Sequence, residues 1–504
     1  MSDAIARARG IWRFEGRYRV LHLTWLAFFL SFVVWFNFAP FARTIGEQLG
    51  LSTSQLVVLG LCNVALTIPA RVFIGMALDR FGPRRVYASV LIYALLPCLA
   101  FATAQSYGML VASRLALSVV GAGFVVGIRM VSEWFPPNEL GTAEGVYGGW
   151  GNFGSAAAAF SLPIIAGVIG GPDGWRWAIA LTGGASALYG VYYLRAVTDT
   201  PPGRRYARPR RQGALEVTNP GAVLALAALT IPLTLALGLI AWRIHHVGAI
   251  TTPVFLAAIG AMIVMLALQL VAVLRVNRPA LRDEYREEDR YPFRSVVVLS
   301  IAYFCTFGSE LAVVTMLPTF FSETFGLEAA AAGMAASGFA FMNLLARPSG
   351  GLLSDLLGSR KRTLSVLLVG LAAGYALMAA IGSRWPLGVA IAASMACSFF
   401  VQSAEGAVFA IVPLVKKRVS GQISGMVGAY GNLGAVVFLT ALLFVGTTTF
   451  FLIIAAASVL GLVAIRWLVE PADSFSAELL EDEALGVDES SDLPVGAALS
   501  PATA

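Results

Sequence analysis

Apolar runs long enough to cross a bilayer as helices recur along the whole of this 504-residue chain, and that recurrence leaves it one broad architecture. They fall at about 20–42, 54–78, 86–105, 108–132, 142–171 and 176–196, and again at about 295–321, 329–354, 363–382, 386–414, 421–446 and 448–468. Two more, about 221–242 and 251–274, lie between the sets. Fourteen segments result, read as twelve plus an inserted pair. A backbone in hydrocarbon must satisfy its own hydrogen bonds, so it spans as helix or as closed barrel. The alternating pattern of a barrel strand is absent, and the expectation is an all-α polytopic membrane protein. With 58% hydrophobic and 13% charged residues, the composition agrees.

The formal charge of +6 resembles a nucleic-acid signature until its placement is considered. Lysines and arginines gather before the first span and in Asp79–Arg85, Arg195–Arg211, Arg275–Arg294, Arg360–Arg362 and Lys416–Arg418. Alternating spans bring all of these to one face, which is the positive-inside pattern and not a nucleic-acid surface. Both termini are then expected in the cytoplasm, with no cleavable signal peptide. The expected organisation is a cytoplasmic start (1–19), a six-helix bundle (20–200), linkers carrying the extra pair (201–294), a second bundle (295–470) and an acidic, disordered cytoplasmic tail (471–504). The four cysteines, Cys62, Cys98, Cys305 and Cys397, all lie in apolar spans without paired or metal-like spacing, so neither disulfides nor a metal is expected. No cofactor loop stands out. Gly149-x-Gly151-x-x-Gly154 satisfies a dinucleotide-binding pattern, but it sits within a bilayer-length helix with no preceding strand.

The two halves are copies. Ala70-Arg71 through Gly75-x-x-x-Asp79-Arg80-x-Gly82-x-Arg84-Arg85 returns 276 residues later as Ala346-Arg347 through Gly351-x-x-x-Asp355-x-x-Gly358-x-Arg360. Gly148-Gly149-Trp150-Gly151-Asn152-Phe153-Gly154 returns 280 residues later as Gly428-Ala429-Tyr430-Gly431-Asn432-Leu433-Gly434. Duplicated six-helix halves place a substrate site between them near the midplane. Gly141, Gly145 and Gly149, like Gly421 and Gly425, recur every four residues and give a smooth face for close helix packing. Packing explains the glycines but not Asn152 and Asn432, which want polar partners in hydrocarbon.

The first repeat resembles the loop motif of the major facilitator superfamily between helices two and three, and between helices eight and nine. Gly75, Asp79, Arg80, Arg84, Gly351, Asp355 and Arg360 are thereby expected to form a cytoplasmic gate. The second resembles the signature of the nitrate/nitrite porter (NarK-type) family. Arg129-Met-Val-Ser-Glu133-Trp-Phe-Pro136 and Glu405-Gly-Ala-Val-Phe-Ala-Ile-Val-Pro413 are similar to its nitrate permease branch. The inserted pair departs from the family's twelve-helix pattern.

An arginine at mid-bilayer depth costs about 2.5–3.5 kcal/mol on insertion scales. Arg71 and Arg347 in matching positions would also repel, unless an anion lies between them. One contact at about 4 Å with a monoanion is worth roughly 4 kcal/mol before desolvation, which offsets that cost. A planar guanidinium fork suits a flat, three-oxygen anion better than an ammonium does. The bland alternative is an arginine paired with a nearby carboxylate. The family resemblance implies further site residues: Asn152 and Asn432 with Gly151 and Gly431, and a wall of rings from Phe38, Phe124, Tyr303 and Phe307. Glu310 and Glu405 lie inside apolar spans, where carboxyls are functional or protonated, and are proton-coupling candidates. The resulting expectation is a monomeric secondary transporter of nitrate or nitrite, by proton-coupled import or by nitrate/nitrite exchange. A nitrate-binding membrane sensor is the alternative from another class, and an enzyme is not expected.

Overall fold

The computed structural model describes residues 10–479, and every regular element among them is helical. The first half consists of α1 (Gly16–Leu49), α2 (Thr53–Phe81), α3 (Pro83–Ala102), α4 (Tyr107–Trp134), α5 (Pro137–Ile169) and α6 (Gly174–Ala196). The inserted pair is α7 (Pro220–His246) and α8 (Thr252–Val276). The second half is α9 (Phe293–Phe325), α10 (Ala329–Phe341), α11 (Asn343–Leu356), α12 (Arg360–Ala379), α13 (Leu387–Leu414), α14 (Lys417–Ala441) and α15 (Thr447–Trp467).

Twelve of these helices are long and apolar enough to cross a membrane, not fourteen. The expected spans 176–196 and 329–354 do form helix, but neither qualifies by length and apolarity. Arg176, Arg195 and a run of glycines and tyrosines dilute α6. The other is broken at Met342 into α10 and α11, and α11 carries Arg347, Pro348 and Asp355.

Local chemistry sets the helix ends. Ser52 and Gln55 form a reciprocal capping box at the start of α2. Pro137 occupies the first turn of α5, where its missing N–H costs nothing. α9 stops at Gly326, whose φ of +67° a side chain would resist.

The repeat is visible in the packing. α5 lies along α1 in the first half, as α14 lies along α9 in the second. Each of these glycine-rich helices also crosses to the other half, α5 onto α11 and α14 onto α2. A Cβ added to Gly75 would sit 2.6 Å from the Gly421 carbonyl oxygen, and one on Gly141 2.5 Å from that of Gly351. Backbone therefore meets backbone at the end that carries the charged motifs, and the halves are closed there.

The inserted pair packs mainly through α7, which touches α2, α9 and α14. The apolar stretch of α8 has no buried residue and faces outward. The expected disordered tail begins differently: Ser474 is buried, and its carbonyl accepts from Arg360 at 3.0 Å. Residues 471–479 are held there because a guanidinium at the closed end draws a backbone carbonyl onto itself; 480–504 lie outside the described residues.

Candidate functional site between the two halves

Arg71 on α2 and Arg347 on α11 are both buried, with their guanidinium carbons each 5.5 Å from the ring centroid of Phe124. One ring thus sees both cations, which draws the repeat's two arginines into one site. Each reaches across to the signature helix of the opposite half. Arg71 donates to the Gly428 carbonyl on α14 at 2.5 Å, and Arg347 to that of Gly148 on α5 at 3.4 Å. Gly148 and Gly428 leave space for those side chains, because a Cβ would lie 3.0 Å and 3.2 Å from the respective arginine Cδ atoms.

The two arginines differ in their other partners. Arg347 forms an ion pair with Glu405 on α13 and donates to the Tyr303 hydroxyl at 3.3 Å. Arg71 is held by neutral groups. With its amide oxygen turned to the guanidinium, Asn432 accepts from Arg71 Nη1 at 3.2 Å and Nε at 3.1 Å. Phe307 stacks 5.1 Å from the same guanidinium. Among the described residues no carboxylate is paired with Arg71. The bland expectation of local ion pairing thus holds for one arginine and not for the other.

Among the described residues Asn152, the counterpart of Asn432, makes no hydrogen bond to an arginine. It donates to Asn343 at 3.4 Å, and Asn343 donates to Glu310 at 2.6 Å. Gln402 also donates to Glu310, at 3.3 Å, and Glu310 interacts with Glu405. Within this polar group, one oxygen each on Asn152, Glu310, Gln402 and Glu405 is buried without a donor. The polar group beside Arg347 is therefore rich in acceptors and short of protons.

Rings fill the space between. Phe124 stacks parallel to Tyr303 at 6.2 Å, and Tyr303 to Phe307 at 5.2 Å. Gly431 is the floor for this stack, since its Cβ would stand 2.7 Å from Tyr303. Gly151 plays the same part under Phe28. Both signature glycines thus admit rings.

Phe38 does not join the wall. The regular helix of α1 ends at Trp35, and Phe38 turns away beneath Arg114, 5.4 Å from its guanidinium, and against Phe101. Phe28 and Phe32 stand nearer the place expected of it: Phe28 lies 5.3 Å from Phe124 and 5.1 Å from Tyr147. The repeat offset was the available signal, because Phe28 and Phe32 precede Tyr303 and Phe307 by 275 residues each. Phe409, edge-on to Phe124 and Tyr303 at 4.8 Å, had no such signal, nor did Tyr147, Asn343 and Gln402.

The residues expected to form a gate gather at the charged end, with different partners. Asp79 accepts from the Gly421 and Gln422 amides of α14 at 3.0 Å and 2.9 Å. Asp355 accepts from those of Gly141 and Thr142 on α5 at 3.0 Å and 2.6 Å. Each acid therefore ties its own half to the N-terminal turns of a helix in the other, the end of the helix dipole that favours anions. Arg360 pairs with Asp355 at 2.9 Å. Arg84 does not pair with Asp79; it donates to the Leu194 carbonyl at 2.6 Å and, through its amide, to Asp199 at 2.7 Å. Burial pushes the Asp199 carboxyl above its ordinary range, and that amide and the Arg84 charge pull it back. Arg80 is exposed over the Phe81 ring. Arg129 reaches Lys417 and Ser420 of the other half while pairing with Glu133 at 2.8 Å.

Two related helical halves, a buried polar site at their junction and a seam that closes one end define a membrane transporter of the alternating-access kind. The chain belongs to the Major Facilitator Superfamily, whose profile matches residues 24–282 and 299–498. It is similar to the nitrate/nitrite transporter NrtP of Picosynechococcus sp., 53% identical over 460 residues covering 86% of each chain. NrtP of Nostoc punctiforme is 48% identical over 475 residues, 92% of this chain and 95% of that one. Nitrate transporter 2.1 of Chlamydomonas reinhardtii is 28% identical, over 90% of this chain and 74% of its own. Among solved structures, the human organic anion transporter MFSD10 shares the fold, with a TM-score of 0.61 at 14% identity over 90% of this chain and all of that one.

Proposed function

We propose that this chain carries nitrate, with nitrite as a second substrate, across the cell membrane by alternating access of its two halves. One observation carries the reading: two buried guanidiniums share one aromatic ring, and one of them lacks a carboxylate partner among the described residues. A small planar monoanion supplies the missing charge, and guanidinium forks with flanking rings suit its shape. The NrtP relatives, similar over most of their length, support the same substrate class.

The direction of transport is import coupled to protons. Glu405 holds Arg347 when no anion competes. A proton on Glu405 neutralises it and frees Arg347 for nitrate, so that anion and proton load together and the site's charge stays balanced. The acceptor-rich chain through Glu310, Asn343 and Asn152 supports this role for the pair. The closed, positively charged end is the cytoplasmic gate, opened when the Asp79 and Asp355 contacts release.

Uptake of labelled nitrate into proteoliposomes tests the reading. Import is expected to rise with an inward proton gradient, and Glu405→Gln to abolish that rise while leaving nitrate exchange at equal pH. Stimulation by internal nitrite without any response to the gradient would replace symport with exchange. Failure to move either anion would overturn the function itself.

A further inference from the structure

The inserted pair does not pack flush against the body of the protein. Between α7 and α8 on one side and α2 and α14 on the other lies an apolar cavity of about 480 Å³, within the about 300–1,000 Å³ typical of ligand pockets. Its outer wall is continuous with the bilayer-facing side of α8, where Val264 and Leu268 line the cavity and are also more than half exposed. Its inner wall is the back of the α2–α14 seam. Val72 and Met76 line it beside Arg71 and Gly75, as Gln422 and Met426 do beside Gly421 and Gly425. Its end toward the charged face is bounded by Gly213, Ala214 and Leu215.

We propose that this cavity binds one acyl chain of an anionic phospholipid from the surrounding bilayer. Apart from Thr230, Thr234, Gln269 and Gln422 the lining is apolar, so an acyl chain keeps apolar surroundings along most of its length on entering. The charge at the end of the cavity selects the headgroup. Arg211 stands two residues before Gly213, and Arg275 lies in the last turn of α8, two residues after the lining Val273. Both are exposed at that face, and basic clusters at the ends of membrane helices attract anionic headgroups. The chain's contact with the gate is direct. The Gln422 amide that binds Asp79 belongs to a residue of the cavity wall, so parting of α2 from α14 deforms the bound lipid's site. The lipid therefore biases the equilibrium between closed and open charged ends, which gives the inserted pair a regulatory role.

The test uses the full-length protein in phosphatidylcholine vesicles, with trace phosphatidylglycerol or phosphatidylcholine spin-labelled on the acyl chain. Electron spin resonance should show a motionally restricted fraction larger for phosphatidylglycerol. Leu233→Trp and Leu268→Trp, made separately because either could disturb folding, fill the cavity and should remove the excess. Arg211→Gln combined with Arg275→Gln should cut the preference for phosphatidylglycerol by about 30-fold while keeping the restricted phosphatidylcholine signal. An equal restricted fraction for both lipids in the unaltered protein would overturn the proposal. So would an excess that survives both tryptophan variants.

Discussion

At the scale of single residues, the repeat supplies two arginines and the fold makes them unequal. Arg347 is neutralised by Glu405, whereas Arg71 rests on carbonyl, amide and ring. Arg71→Lys keeps the charge but loses the fork that serves Gly428 and Asn432 together. A hydrogen bond to a charged group is worth about 1.5–3 kcal/mol, so nitrate uptake efficiency should fall roughly 10- to 150-fold. Unaltered uptake kinetics in proteoliposomes would show that Arg71 acts only as a point charge. Both arginines were legible because a buried cation is costly and matching positions in two halves are not accidental. Phe38 stands apart from the expected wall for an equally physical reason: a motif records spacing along a chain, and α1 leaves its regular helix at Trp35.

At the scale of the element, α5 and α14 do two jobs with one glycine face. Small residues let them meet α11 and α2 backbone to backbone, and the same absence of side chains admits Arg347, Arg71 and the rings higher up. Closure and binding therefore share a surface, so a defect at the seam should appear as a shifted conformational equilibrium. A side chain at Gly141 would strike Gly351 and Asp355. Overpacking of this kind costs about 1–3 kcal/mol, so Gly141→Val should move the closed-to-open ratio about 5- to 150-fold toward open. Labelling of a cysteine introduced at Ser354, buried in the closed seam, with a membrane-impermeant maleimide reports it. An unchanged labelling rate would mean that this seam does not limit opening. The periodic glycines announced close packing in the sequence; their partners depended on which helix of the other half came opposite.

At the scale of the whole molecule, each bundle is followed by a segment that folds back over the closed end. Residues 198–216 bring Tyr206 under Arg129 and Glu216 to Arg418, at 2.8 Å, in the second half. Residues 470–479 bring Glu470 to the Arg360 amide at 2.6 Å and the Phe475 ring to its guanidinium. Removing one partner of a buried pair strands the other, at about 3–5 kcal/mol. Arg418→Ala should accordingly lower the unfolding temperature, and adding Glu216→Leu should restore only part of the loss, because it also deprives Tyr285 and the Arg210 amide of their acceptor. No recovery in a thermal melt of the double variant would mean that Arg418 stabilises the fold through Asp289 instead. The solvent, the helical class, the duplication and the two intramembrane arginines are all legible along the chain, because each follows from local solvation cost or from repetition. That one arginine is paired and the other is not, that Phe28 rather than Phe38 meets the central ring, and that linker and tail fold over the charged end are properties of the assembled helices. Those outcomes depend on which groups from distant helices share a low-dielectric space, and spacing along one chain does not encode that.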